Sequence, residues 1–206
     1  MSLTTYSDLR QALIDWPDLQ GEVDLDNYAD ALITLGESRI NVALRLRRNI
    51  TSLLVDNGKD EVTSYALPDD FLEVDRVLGP DGVPLLYRSQ DQVSTLQNTE
   101  GVQYDACTYS IDGNFLIFAG PITTFELSYY AKLQPLESTD TNWLYALAPG
   151  LYLYSALIEA AVFSKESEQE TARYSAQFER IASQVLALDD ASNYPRSQPL
   201  KSVRRL

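Results

Sequence analysis

The chain has 206 residues, 45% of them hydrophobic and 22% charged, with a formal net charge of −14, one cysteine and no histidine. That length buries roughly 70% of the unfolded chain's surface, so a core forms without disulfides or metal. The absence of imidazole excludes Ser-His-Asp and Cys-His catalysis and the usual zinc sites.

Thr4 or Thr5 caps a first short helix reaching Trp16, with Leu9, Ala12 and Leu13 on its inner face and Pro17 as its stop. A second helix is expected to begin near Asp24 to Asp26, where acids suit the positive end of the macrodipole. Its apolar positions Tyr28, Leu32, Leu35, Ile40, Ala43 and Leu44 recur mainly at three- and four-residue steps. Gly36 weakens its middle, and Arg45, Arg47 and Arg48 suit its last turn.

The period then shortens to that of strands. Ile50–Val55 and Val62–Leu67 read as a pair joined at Asp56-Asn57-Gly58, and Leu67-Pro68-Asp69-Asp70-Phe71 as a corner leading into a strand from Leu72 to Leu78. Gly79-Pro80-Asp81-Gly82 turns the chain into Val83–Tyr87, and Ser89–Leu96 fits one short helix. Strands are expected at Tyr104–Ile111, Phe115–Ala119 and Thr124–Ala131, which makes residues 50–132 a small sandwich or barrel.

Helical periodicity resumes at Thr141-Asn142-Trp143-Leu144. Pro149 starts a helix to about Phe163. Beyond a polar break at Ser164–Ser167, a long helix runs from Glu168 to Leu188 with Ala172, Ser175, Phe178, Ile181, Ala182 and Val185 on one face. Ser192–Leu206 has two prolines and no period, and is expected to be an extended tail.

No run approaches ~20 apolar residues, so no membrane-spanning helix is expected. Met1–Asp8 has neither a basic head nor an apolar run and does not read as a signal peptide. Arg196, Lys201, Arg204 and Arg205 give residues 193–206 a charge of +4, so the rest carries −18. An acidic body argues against nucleic acid as a bound ligand, because binding requires phosphates to be neutralised by Lys and Arg. It suits a repulsive surface with one separate docking segment; a soluble acidic protein with a solvated end fits the same numbers.

The acid clusters carry no recognisable chemistry. Asp56, Asp60 and Glu61 lack the spacing of a calcium loop, and Asp69-Asp70 reads as a turn former beside Pro68. Gly79–Gly82 lacks the Gly-Lys-Ser/Thr ending of a phosphate loop, and no serine sits in a Gly-x-Ser-x-Gly elbow. Cys107 has no partner for an internal disulfide and reads as a small buried strand residue. No cofactor or metal is implied, and no enzyme activity is expected. The thirteen tyrosines either complete the core or mark protein contacts, where a ring is buried and a hydroxyl stays wet.

Asn142-Trp143-Leu144, Ala148-Pro149 and Leu151-Tyr152-Leu153-Tyr154-Ser155-Ala156-Leu157-Ile158-Glu159-Ala160-Ala161 look like a helical signature, and further segments match in order. These are Leu3–Leu9, Gly36-Glu37-Ser38-Arg39-Ile40-Asn41, Tyr65–Glu73 with its Leu-Pro-x-Asp-Phe-Leu corner, and Tyr129–Leu136. Together, over about residues 1–190, the chain resembles the adaptor (head completion, connector) proteins that join head to tail in tailed bacteriophages. Within that signature the family-like structural positions are Asn142, Trp143, Pro149, Tyr152, Tyr154 and Glu159.

The resemblance implies an α+β fold: a helical bundle of residues 1–49 and 133–191, a small antiparallel β-rich insertion at 50–132, and an extended C-terminal docking tail at 192–206. It also implies a virion protein, made in the host cytoplasm and placed at the head–tail junction. There it would form a ring, expected at twelve copies, between the portal protein and tail or nozzle proteins. Genomic double-stranded DNA would pass through its channel without specific binding, and no membrane is involved. By analogy with related connectors the tail grips the portal, with Tyr194, Pro195, Arg196, Leu200, Lys201, Arg204 and Arg205 as candidate docking residues. A different class stays open: an acidic binding module, of chaperone or DNA-mimic type, that occupies a basic protein.

Overall fold

The computed structural model describes residues 3–16, 25–98 and 108–193. Pro17, Asp24, the strand start at Tyr104–Cys107 and the docking residues from Tyr194 onward lie outside the described residues. The chain divides into two compact units, Met1–Arg48 with Leu133–Leu206 and Asn49–Lys132.

The helical unit is organised around α6 (Pro149–Phe163), which starts with proline at its first turn, where no N–H is needed. Leu151, Tyr152, Ser155, Ala156, Ile158 and Ala160 are among its buried residues and lie around much of its circumference, as a central helix requires. It packs against α1 (Tyr6–Ile14), α2 (Leu25–Ala43), α5 (Trp143–Leu147) and α7 (Glu168–Asn193). A one-turn helix, α4 (Leu136–Thr139), was not foreshadowed by periodicity, and its single turn is too short to show any.

Thr5 begins α1 with a capping box: its side chain accepts from the Asp8 N–H at 3.1 Å while the Asp8 carboxylate accepts from the Thr5 N–H at 3.0 Å. A further pair of bonds from Thr4 helps hold this exposed carboxyl near pKa 2. Leu9, Ala12 and Leu13 are buried as their spacing predicts. Arg45 donates to the carbonyls of Asn41 and Leu44 at 2.6 and 3.1 Å, closing the end of α2.

The buried face of α2 differs from the expected one. It consists of Leu25, Ala29, Leu32, Ile33, Gly36 and Ile40, whereas Tyr28, Leu35 and Ala43 are exposed. Leu32, Ile40 and Leu44 are buried as expected, but the inner stripe also runs through Leu25, Ala29, Ile33 and Gly36, and its small residues let α2 cross α6 closely. Gly36 is the clearest case: a Cβ placed there would stand 2.7 Å from Ser155 Oγ and 2.9 Å from the Ala156 nitrogen.

Between α6 and α7 the chain reverses with Lys165 in the left-handed region at φ 58°. Glu166 N–H donates to Ala161 O at 2.9 Å and Lys165 N–H to Val162 O at 3.3 Å, the bond pair of a Schellman motif. α7 stays helical to Asn193, so Ser192 and Asn193 belong to the helix rather than to an extended tail. The helix-forming Leu186, Ala187, Leu188 and Ala191 carry it past the expected end.

The second unit contains two sheets. One has the order β1-β7-β3 (Ile50–Asp56, Thr124–Ala131, Phe71–Leu78), all antiparallel. The other has the order β2-β6-β5-β4 (Val62–Ala66, Phe115–Ile122, Thr108–Asp112, Leu86–Tyr87). Val55, Val77, Phe125 and Leu127 of the first and Tyr109, Leu116, Phe118 and Ile122 of the second share one core, which makes the unit a small sandwich.

Three details depart from expectation. β1 and β2, expected to pair with each other across Asp56-Asn57-Gly58, lie in different sheets, β1 pairing with β7 and β2 with β6. The pair β4–β5 is parallel, and the strand expected at Val83–Tyr87 shrinks to Leu86–Tyr87. Pro84 has no N–H to donate, so the segment first bridges Leu78 and only later reaches β5. A short helix, α3 (Gln90–Asn98), packs on β5 and β6, with Gln97 Nε2 donating to Phe118 O at 2.7 Å.

Candidate functional site

The segments that looked like family motifs meet in space within each unit. In the helical unit, Asn142 lies at the centre. As N-cap of α5 its Oδ1 accepts from the Tyr145 N–H at 2.9 Å and also from the Tyr152 hydroxyl at 3.0 Å, while its Nδ2 donates to Gln134 O at 2.9 Å. One amide therefore joins the approach segment, the capped turn and the central helix. Tyr152 and Tyr145 are fully packed, with rings edge-to-face at 5.3 Å. Burial pushes the Tyr152 hydroxyl well above its ordinary pKa, and burial with the nearby Asp8 and Asp140 charges pushes Tyr145 up to about 12.

The same approach segment is strapped to α2. Leu133 N–H donates to Asn41 Oδ1 at 3.0 Å and Leu136 N–H to Glu37 Oε1 at 2.9 Å. Burial is the main cause of the raised Glu37 pKa; the bond from Leu136 opposes it and the Glu137 charge adds to it. Arg39 Nε donates to Glu159 Oε1 at 3.0 Å, tying α2 to α6 beside the Gly36 crossing. Tyr154 meets Trp16 edge-to-face at 6.4 Å, and Trp16 Nε1 donates to the Tyr174 hydroxyl at 3.0 Å. The Arg48 guanidinium sits 4.7 Å over the Trp143 ring.

In the sandwich unit the Leu-Pro-x-Asp-Phe corner meets β7 in the same manner. Asp70 Oδ1 accepts from the Tyr129 hydroxyl at 3.0 Å, Asp70 O from the Lys132 N–H at 2.7 Å, and Asp69 O from Lys132 Nζ at 2.9 Å. Burial and the Asp70 contact raise Tyr129 to about 12. Asp56 accepts from the Gly58 N–H at 2.8 Å and shapes a turn.

Of the six family-like positions, Asn142, Tyr152 and Glu159 thus join elements by hydrogen bonds, Pro149 starts α6, and Trp143 and Tyr154 pack at the unit's edges. Glu37 and Asn41, which act as straps, were not singled out individually. Two polar side chains four residues apart on one helix were the only signal for them. Most tyrosines serve the core, whereas Tyr28 and Tyr87 are exposed. Among the described residues, no group of three or more His, Cys, Asp or Glu side chains could hold a metal, and no helix is long and apolar enough to cross a membrane.

Two largely apolar grooves open on the helical unit. A groove of roughly 630 Å³ runs between α2, α6 and α7, lined by Leu35, Val42, Ile158 and Phe178 with the Arg39–Glu159 pair. A second, of roughly 230 Å³, lies between Trp143, Leu147, Val185 and Leu188.

A two-unit α+β chain whose polar side chains largely lock helices and corners together, and whose grooves are apolar, is built as a structural component. The family model described as SU10 adaptor protein matches residues 4–201, and the chain belongs to that family of phage adaptor proteins. The chain is therefore a structural component of a virion. No curated protein matches it.

Proposed function

We propose that this protein is the ring-forming subunit that joins the portal to the tail at the head–tail junction and extends the DNA channel. The family membership across residues 4–201 carries this reading. The ring is expected to hold twelve copies and to receive tail or nozzle proteins on the side away from the portal. DNA would cross without specific binding. Acids on a channel wall repel phosphates over about 8 Å at physiological salt, enough to prevent sticking at the wall.

The segment 194–206 is proposed to grip the portal. Tyr194, Pro195 and Leu200 supply apolar anchors, while Arg196, Lys201, Arg204 and Arg205 supply charge-assisted contacts. Several linked copies gain avidity even where each contact is weak.

The test is co-purification with the portal protein over a range of salt, with particle mass as readout. A ring-sized complex is expected from the full chain. Deleting 194–206 should leave the thermal transition of the body in place and weaken portal attachment by at least about tenfold, given the effective concentration that linked sites provide. Equal binding by the truncated chain would move docking to the helical unit. A one-to-one complex with a basic protein, and none with portal, would favour the acidic binding module instead.

A further inference from the structure

The larger groove is apolar in its bulk and acidic in its remaining charge. Leu35, Val42, Ile158 and Phe178 line it together with three charged side chains, Arg39, Glu159 and Glu179. Arg39 is paired with Glu159. Glu179 is exposed and has no cation partner among the described residues. The same face of α7 keeps this character to the helix end, since Leu186 and Asp190, both exposed, follow Glu179 at seven and eleven residues. Arg180 lies about 100° round the helix and donates to Gln177 Oε1 at 3.1 and 2.9 Å instead.

An apolar groove with an acidic approach selects its occupant by charge. The body of a second copy carries the same excess of acid and is repelled. An extended segment with apolar and basic side chains and no acid is attracted. The chain carries one directly after α7: residues 194–206 hold Leu200, Val203 and Leu206 with Arg196, Lys201, Arg204 and Arg205. Its length suffices. Glu179 precedes Asn193 by 14 residues, about 21 Å of helix. The 13 residues beyond Asn193 span up to about 43 Å when extended. The segment can therefore reverse at the helix end and return past Asp190 and Leu186 as far as Glu179. Its tether gives it an effective concentration on the order of mM, so it outcompetes the same segment of another copy.

We propose that residues 194–206 fold back into the groove between α2, α6 and α7 of their own chain. Leu200 and Val203 meet the apolar lining, and Arg204 and Arg205 meet Glu179. The inference concerns the free subunit and does not rest on the portal reading. Where portal takes the same segment, the groove competes with it.

The test uses full-length Cys107→Ser chains carrying Ser38→Cys in the groove and Ser202→Cys in the segment, treated with a short bis-maleimide. Isotope-labelled and unlabelled chains are mixed equally, so that peptide masses separate links within a chain from links between chains. A Ser138→Cys/Ser202→Cys chain, with its first thiol outside the groove lining, gives the background. The groove pair is expected to link within single chains at least about threefold above that background. Adding Glu179→Lys should keep the helical signal and lower the excess by about two- to fivefold, as loss of an exposed ion pair does. Links no more frequent than background, links predominantly between chains, or an excess unchanged by Glu179→Lys would each overturn the proposal. None of these readouts involves portal, so its attachment through residues 194–206 stands or falls separately.

Discussion

Replacing Gly36 by alanine isolates the helix crossing on which the helical unit depends. In an exposed helix this change stabilises by about 1 kcal/mol, because glycine has the larger backbone entropy to lose. Here the added Cβ would stand 2.7 Å from Ser155 Oγ, 2.9 Å from the Ala156 nitrogen and 3.1 Å from the Ser155 carbonyl carbon. Two of those atoms are backbone, so rotating one side chain gives no relief, and α2 must move away from α6. Overpacking of that kind costs about 1–3 kcal/mol. The expected net effect of Gly36→Ala is a loss of about 1–2 kcal/mol. At about 2–4 °C per kcal/mol for a chain of this size, the transition followed by circular dichroism at 222 nm should fall by about 2–8 °C. Adding Ser155→Gly should recover part of the loss, since it removes the nearest atom and leaves the backbone nitrogen in place. A Gly36→Ala protein that melts higher than the parent would refute the argument and show that the helices separate freely.

Asn142→Ala removes a cap and orphans the buried Tyr152 hydroxyl, so a loss of about 2–4 kcal/mol is expected in urea unfolding. Tyr152→Phe in the same background should then cost little, since no partner remains to lose. Lys165→Gly relieves a left-handed residue in the α6–α7 reversal, and a gain of about 1 kcal/mol is expected in the same assay. The phenols of Tyr129 and Tyr145 titrate near 12 in the fold and near 10 when unfolded, so the fold favours their neutral forms. Their contribution is fully present below pH 10 and lost as pH rises toward 12. Absorbance at 295 nm should accordingly show a late tyrosinate step that coincides with unfolding, and Tyr129→Phe should shift it.

The long amphipathic segments were legible in the sequence because their signal is local. The threonine cap of α1, the proline start of α6 and the polar break before α7 each rest on residues a few positions apart, although the reciprocal bond from Asp8 was not foreseen. A small β sandwich or barrel over 50–132 was legible from turn residues at regular intervals, but which of the two, and which strands pair, was not. What the sequence concealed depends on a partner distant along the chain. Gly36 looked like a defect in α2 because Ser155 and Ala156, against which it packs, lie about 120 residues away. Tyr28 and Leu35 read as core positions for the same reason, since periodicity reports that a stripe is apolar and not which of two apolar stripes faces inward. The parallel approach of β4 to β5 is likewise a consequence of where the preceding corner delivers Pro84.

The candidate site follows the same division, and this separates its two halves physically. Asn142, Tyr152, Glu159 and the Leu-Pro-x-Asp-Phe corner are recognisable because each meets several fixed geometric demands at once: a cap, a buried hydroxyl, an ion pair, a tight turn. Substitutions there should act through stability, as the Asn142 series tests. A docking surface meets fewer demands in the free chain. Leu35, Val42 and Leu188 satisfy no hydrogen bond and fill no core position, so only their exposure in the folded unit distinguishes them from ordinary helix residues. Within the helical unit, the motifs therefore describe how the subunit holds itself together. Asn142→Ala should therefore lower the melting temperature before it changes particle mass, and a variant that lost mass at an unchanged melting temperature would place Asn142 in a contact rather than in the unit's own frame.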